Sequence, residues 1–310
     1  MKIKDMNNFA TFVLNTLLSF WVQIRDLYLY FFRRAIVLNG YVDDHTWRGI
    51  RHRNWGDDLN YYLLRKLTGR PVILYHNFKL AKWLHLKNYL CIGTLLDAVN
   101  YSNKQTVVWG SGVSGQERTF VHPRNILSVR GAKTKEFCIR YQVACPEIYG
   151  DPALLLPLVY RPTMPKKYRL GVIPHVIDQQ HPVIQEIREQ HADDILIIDL
   201  AHYKKWTDVI DQICSCERIL SSSLHGLIVS DAYQVPNCWI ELSGKISGGY
   251  FKFYDYASSV ERHFENPVKV NSVEELDMLD VEYASPQQIS VLQEGLIKAC
   301  PFKLSNLKLL

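Results

Sequence analysis

The chain has 310 residues, a net charge of +5, and 47% hydrophobic and 22% charged residues, an ordinary globular composition long enough for two domains of about 150 residues each. Its mild basicity suits anionic small molecules or a phospholipid surface, and with no Lys/Arg-rich run or interleaved basic and aromatic pattern, nucleic acid is set aside as a partner. Seven cysteines (91, 138, 145, 214, 216, 238 and 300) are odd in number and scattered, which fits reduced thiols in a cytoplasmic protein, and the close pair Cys214 and Cys216 lacks a second pair at metal-ligand spacing, so no metal site is expected.

From Asn8 to Arg34, apolar Phe9, Phe12, Val13, Leu17, Phe20, Trp21, Ile24, Leu27, Tyr28 and Phe31 recur at helical spacing. Asn8, Thr11, Asn15, Ser19, Asp26 and Arg33 fall on the far side, diluted there by Leu14, Leu18, Val22 and Leu29. The spacing predicts an amphipathic helix. Its uncharged run from Met6 to Ile24 carries Asn7, Asn8, Thr11, Asn15, Thr16, Ser19 and Gln23 and precedes no small-residue cleavage site, which disfavours a spanning helix or signal peptide. Two placements stay open. Aromatic richness and the Arg33-Arg34 pair favour a helix lying in a membrane interface at the inner face; the other is a cover helix packed on the protein's own core.

Beyond it, β-rich apolar runs alternate with helical patterns: Pro71 to Tyr75, Leu90 to Leu95, Thr106 to Trp109, Ile126 to Val129, Arg169 to Ile173, Ile195 to Leu200, Arg218 to Leu220 and Cys238 to Leu242. Such alternation predicts an α/β fold of parallel sheets flanked by helices. The proline-rich basic stretch Pro157 to Lys167 reads as a linker, giving an N-terminal helix (1–34), a Rossmann-like domain (35–160) and a second one (161–310) ending in a helical tail. Doubly wound domains bind ligands outside the carboxyl ends of their strands, so the loops that follow strands carry the chemistry.

Several of those loops are unusual. In NWGDDLN (Asn54 to Asn60), Asp57 or Asp58 suits the start of a helix from Leu59 to Lys66, and Gly56 allows a tight turn or a ligand's close approach. Gly110-Ser111-Gly112 leaves a strand and could cradle an anion with its N–H groups, or simply turn. Arg130-Gly131 ends the next strand before a helix at Ala132 to Arg140; its guanidinium could grip a carboxylate or phosphate bidentately, or form a surface ion pair. YGDPALL (Tyr149 to Leu155) reads as a structural turn, and His175 in GVIPHVID lies just past a strand. SSSLHG (Ser221 to Gly226) sets His225 beside the start of a helix at Leu227 to Tyr233. Its serines can cap N–H groups and its helix end favours an anion. A histidine there can pass protons, or can merely bond a neighbouring backbone group.

In this order NWGDDLN, GSG, VRGAKT, YGDPALL, GVIPHV, SSSLHG and KFYDY (Lys252 to Tyr256) resemble the polysaccharide pyruvyl transferase family, over about Asn54 to Tyr256. The resemblance implies a GT-B-like pair of Rossmann-type domains facing a central cleft. It implies phosphoenolpyruvate as donor and co-substrate and transfer of pyruvate onto two hydroxyls of one sugar of a bacterial polysaccharide precursor as a cyclic ketal with release of phosphate; a lipid-linked acceptor is suggested by the N-terminal helix and the mild positive charge, and no step of the reaction demands a cofactor or metal. The resemblance makes His225 and Arg130 the principal active-site residues. Asn54, Gly56, Asp57, Gly110, Ser111, Gly112, His175, Ser222, Ser223, Leu224 and Lys252 are the candidate donor- or substrate-binding residues, with His225 the candidate acid for one proton transfer. The alternatives are a GT-B glycosyltransferase using a nucleotide sugar and a non-catalytic, membrane-peripheral polysaccharide-assembly protein.

Overall fold

A computed structural model of the chain describes residues 3–46, 49–51, 54–116, 121–245 and 249–305. Helix α1 (Ile3–Arg33) leads into β1 (Ile36–Leu38), the hairpin strands β2 (Asp43–Thr46) and β3 (Gly49–Arg51), α2 (Trp55–Thr68), β4 (Val72–Leu74), α3 (Lys79–Trp83), β5 (Asn88–Leu90), β6 (Thr106–Trp109), β7 (Asn125–Ser128), α4 (Ala132–Arg140) and α5 (Leu156–Val159). There follow β8 (Tyr168–Ile173), α6 (Pro182–Gln190), β9 (Ile195–Ile197), α7 (Trp206–Cys214), β10 (Cys216–Ser221), α8 (Leu224–Ala232), β11 (Asn237–Glu241), α9 (Phe251–Val260), β12 (Val268–Lys269) and α10 (Pro286–Lys298).

This is a mixed α/β fold with two five-stranded sheets, ordered β4-β1-β5-β6-β7 and β12-β11-β10-β8-β9, and every pairing within them is parallel. Buried strands such as Ile36–Leu38 and Thr106–Trp109 read as unbroken apolar or β-branched runs, as parallel strands covered on both faces do. In each sheet the order reverses beside the first strand, between β1 and β5 and between β8 and β10. The carboxyl ends at these two reversals are the places where such sheets open a crevice.

Strands β1, β2, β3 and β12 lie outside the expected runs, and one expected strand is displaced. β1 follows the aromatic helix so closely that the sequence pattern does not separate it. The expected strand at Leu90 to Leu95 instead leaves the sheet at Leu90, because the buried Asn60 amide occupies both backbone groups of Ile92, accepting from its N–H at 2.8 Å and donating to its carbonyl at 2.9 Å. Gly93 then takes φ +120°, which suits glycine. The segment 91–97 is thereby freed to form a loop.

The C-terminal helix crosses back to the first sheet. The indole of Trp109 donates to the Leu296 carbonyl at 2.9 Å, Phe302 packs on Tyr89, and the Ser305 N–H reaches the Leu67 carbonyl.

Helix α1 meets the first sheet along one stripe, with Val22 and Asp26 buried and Leu27, Leu29 and Tyr30 partly so. Gln23 ties it to the start of α3 by donating to the Asn77 carbonyl and accepting from the Lys79 N–H. The opposite, more apolar stripe faces outward: Leu17, Phe20, Trp21 and Phe31 are 55%, 63%, 65% and 59% exposed. The cover-helix expectation, in which these residues pack on the core, is therefore corrected for them; the side chains of Asn8, Phe9, Thr11 and Phe12 lie outside those described. Among the described residues no helix is long and apolar enough to cross a membrane.

Candidate active site

A cavity of about 510 Å³ lies where the two strand-order reversals face each other. Asn54, Asp57, Thr94, Arg130 and Tyr41 line it from the first half of the chain, and His175, Ser223, Leu224, His225 and Lys252 from the second.

On the first side, α2 begins at Trp55, earlier than the predicted Leu59, so Asp57 sits in the first turn and not at the cap. The cap is Asn54, whose Oδ1 accepts from the Gly56 N–H at 3.3 Å while its Nδ2 donates to Asp57 Oδ2 at 2.7 Å. Gly56 packs against the His225 ring. A Cβ there would stand 1.9 Å from His225 Nδ1, so only glycine lets the imidazole lie this close to the helix.

Arg130 follows β7 and is fully buried. Its Nε donates to Asp255 Oδ2 at 2.9 Å, Nη1 to Thr94 Oγ1 at 2.7 Å and Nη2 to the Val113 carbonyl at 3.2 Å. Three of the five guanidinium N–H groups are thus spent on the protein, and each terminal nitrogen keeps one for a ligand. Asp255, on α9, is itself buried and also accepts from Thr134 N–H at 2.8 Å and Thr134 Oγ1 at 2.7 Å. Two glycines make room: a Cβ on Gly112 would meet the guanidinium carbon at 2.4 Å, and one on Gly131 would meet the Asp255 carbonyl oxygen at 1.8 Å. The expected surface alternative for Arg130 is replaced by a buried ion pair that links the two halves of the chain.

On the second side, α8 begins at Leu224, three residues before the predicted start, which places His225 inside its first turn. The serines do not cap it as expected. Ser223 stands at the cap but makes no side-chain bond to the helix, Ser221 Oγ donates to the Ser223 carbonyl and accepts from its N–H, and Ser222 Oγ accepts from the His175 N–H at 2.8 Å. The helix start is left without a side-chain cap, and its residues Ser223, Leu224 and His225 line the cavity.

Burial, then Lys252, then Arg130, lower His225 to about 3, so its ring is neutral at physiological pH. Its Nε2 is buried without a hydrogen-bond partner in the protein. Burial and the Arg130 charge, partly offset by Asp57, lower Lys252 to about 8. Burial also lowers His175, reinforced by Lys252; its Nδ1 accepts from the Ile177 N–H.

The remaining sequence-predicted residues sit behind this wall. Gly110 and Gly112 direct their N–H groups to the Ser128 and Gly93 carbonyls, and Ser111 donates its hydroxyl to the Gly93 carbonyl. The GSG segment thus supports the loop 91–97 and presents no anion cradle. Asp151, in the turn read as structural, caps a 3₁₀ turn by accepting from the Ala153 N–H. Sequence reasoning missed Thr94, Asp97 and Asp255. Thr94 falls inside the expected strand Leu90 to Leu95 and Asp97 just past its end; Asp97 fastens Ser114 by accepting from both its N–H and its hydroxyl. Asp255 stands inside KFYDY, where nothing local distinguishes it from a surface carboxylate.

The family model described as polysaccharide pyruvyl transferase matches residues 77–244, over half of the chain, and this stretch holds Arg130, His175 and His225. The chain belongs to the polysaccharide pyruvyl transferase family. Among curated proteins, an uncharacterized protein of Acanthamoeba polyphaga mimivirus is 28% identical over 214 residues, covering 67% of this chain and 71% of the relative. No solved structure gives a significant match. Membership makes the protein a pyruvyltransferase of polysaccharide synthesis and implies a sugar or polysaccharide acceptor. Asn54, Gly56, Asp57, Lys252 and Asp255 lie outside the matched stretch and join the site through the fold.

Proposed function

We propose that the cavity transfers the pyruvyl group of phosphoenolpyruvate onto two hydroxyls of one sugar, closing a cyclic ketal and releasing phosphate. The observation that carries this reading is the convergence of two cations of different shape, Arg130 and Lys252, with His225 and the uncapped start of α8 on one cavity. Phosphoenolpyruvate carries a carboxylate and a phosphate. The two remaining N–H groups of Arg130 suit a planar carboxylate, while an ammonium and open helix N–H groups suit a phosphate. A neutral His225 whose Nε2 has no hydrogen-bond partner in the protein is fitted to accept the proton of the attacking hydroxyl. Two parallel sheets facing each other across the cavity support the GT-B-like reading of the architecture.

We further propose that the acceptor is lipid-linked and that α1 holds the enzyme at the inner face of a membrane without spanning it. What supports this is the outward stripe of Leu17, Phe20, Trp21 and Phe31 ending at Arg33 and Arg34, apolar and aromatic on one side and cationic at the end.

The test is incubation with phosphoenolpyruvate and a panel of lipid-linked or synthetic galactosides, mannosides and glucosides. The expected result is phosphate release matched by a mass gain on one acceptor. Thermal stabilisation by nucleotide sugars with none by phosphoenolpyruvate would overturn the donor assignment in favour of glycosyl transfer.

A further inference from the structure

Adding a hydroxyl to the enol carbon of phosphoenolpyruvate requires a proton on the neighbouring methylene, and the acid must sit beside a donor with two anionic groups. Arg130 does not release protons, and His225 starts neutral with an unpartnered nitrogen. Asp57 is differently placed. Its carboxyl lines the cavity, receives the Asn54 amide N–H at 2.7 Å and lies over Gly93, where a Cβ would come within 3.5 Å of Oδ1. No Lys or Arg among the described residues pairs with it. Its neighbour Asp58 is turned away and accepts the Tyr203 hydroxyl at 2.7 Å.

A carboxylate at Asp57 would repel the donor, whereas the protonated form meets it without repulsion and carries the proton the chemistry needs. Given phosphoenolpyruvate transfer as the reaction, we propose that Asp57 is its general acid, entering the donor complex as a neutral carboxylic acid and delivering its proton to the methylene carbon.

The step balances. The C=C electron pair takes the Asp57 proton and the methylene becomes a methyl, while the adjacent carbon bonds the first acceptor oxygen, whose proton passes to His225 Nε2. Phosphate departs with the C–O electron pair and takes that proton, leaving an oxocarbenium centre. The second hydroxyl closes the ring and returns its proton to the Asp57 carboxylate. Both side chains end as they began.

The groups facing Asp57 are Asp58 on its own helix, Lys252 on α9, His225 on α8, Asp151 at the 3₁₀ turn and Tyr101 beyond β5. Burial first, then Asp58, with a smaller part from Asp151 and against the pull of Lys252, raise its carboxyl to about 7. The acid form is therefore present below neutrality and lost above it.

Asp57→Asn, which keeps the shape and an acceptor for Asn54, tests the assignment. Calorimetry should find phosphoenolpyruvate bound as tightly as by the wild type or tighter, because a repelling charge is gone. Turnover should fall by about 10²- to 10⁴-fold. Asp57→Glu should restore part of it and retain a decline in kcat above neutral pH that Asp57→Asn lacks. Unchanged turnover in Asp57→Asn, or donor binding weakened tenfold with kcat retained, overturns the proposal and makes Asp57 a bystander or a binding residue. A wild type that binds no phosphoenolpyruvate removes the donor reading itself, an outcome distinguishable from either.

Discussion

Arg130 and Lys252 face one cavity from the two halves of the chain, yet Arg130 is fully buried and tied at three N–H groups, whereas Lys252 is half-buried and has no ion pair among the described residues. The buried ion pair with Asp255 fixes where a guanidinium edge points, and it makes that residue structural as well as functional. The unpaired ammonium keeps its charge for a ligand and is marginal because of its burial. Geometry is thus assigned to one cation and adjustable charge to the other.

The largest expected effect breaks this contrast at its fixed end. Arg130→Ala should abolish most turnover and also destabilise the fold by about 3–5 kcal/mol, because Asp255 is left as an unpaired buried charge. Parallel denaturant titrations and phosphate-release assays check both losses. Arg130→Lys should recover little, since an ammonium cannot bond Asp255, Thr94 and Val113 together and still face a carboxylate. A variant at position 130 that stays as stable as the wild type would mean that the ion pair contributes nothing and that the two cations do not differ as described.

His225 lies between the two and should show activity loss without the structural cost. His225→Ala should lower kcat by about 10²- to 10⁴-fold with little change in unfolding midpoint, because its Nε2 has no protein partner to orphan. Gly56→Ala gives an independent handle on the same ring: a Cβ 1.9 Å from Nδ1 must push the imidazole off its position. Its kcat should fall although no catalytic group has been removed. Retention of full kcat in Gly56→Ala would show that the ring's place on α2 is unimportant.

How far these features can be read without coordinates differs along the chain. The parallel α/β class follows from alternating strand and helix patterns, the loops holding Arg130, His175 and His225 are visible as interruptions at strand ends, and Asn54 is marked by the helix start that follows it. Each of those cues is local. Gly56, Gly112 and Gly131 look like turn residues in sequence, but each is required by a side chain or carbonyl from a distant segment, and that contact exists only after folding. Asp255 is the clearest case, since its partners Arg130 and Thr134 lie more than a hundred residues away. The segment 91–97 shows the opposite failure: an apolar local pattern reads as strand, and Asn60, from another element, overrides it.

At the adjustable end of the cavity, donor affinity should follow the Lys252 charge. With the free ammonium lowered to about 8, the protonated form dominates below that pH and is lost above it. The KM for phosphoenolpyruvate should therefore rise as pH passes about 8, and Lys252→Met should raise KM at neutral pH and remove that rise. Lys252→Met should leave folding stability nearly unchanged, unlike the Arg130 variants. A pH-independent KM in the wild type would place the phosphate elsewhere.

The smallest effect on chemistry is expected at α1, whose exposed stripe contacts neither the cavity nor the sheets. Removing the whole helix would also uncover the surface under Val22, Asp26 and Tyr30, so a truncated protein would confuse membrane binding with loss of packing. Substitution on the outward stripe avoids this. Phe20→Glu with Trp21→Glu places two carboxylates where side chains that are 63% and 65% exposed now stand, and in solution this should change stability by no more than about 0.5 kcal/mol. At an anionic lipid surface the same change removes aromatic burial and adds repulsion. Flotation with anionic liposomes should be lost, while turnover on a soluble synthetic acceptor stays at the wild-type level and turnover on a lipid-linked acceptor falls. If the double variant floats like the wild type, or the wild type does not float, the stripe serves another contact and the lipid-linked acceptor loses its structural support.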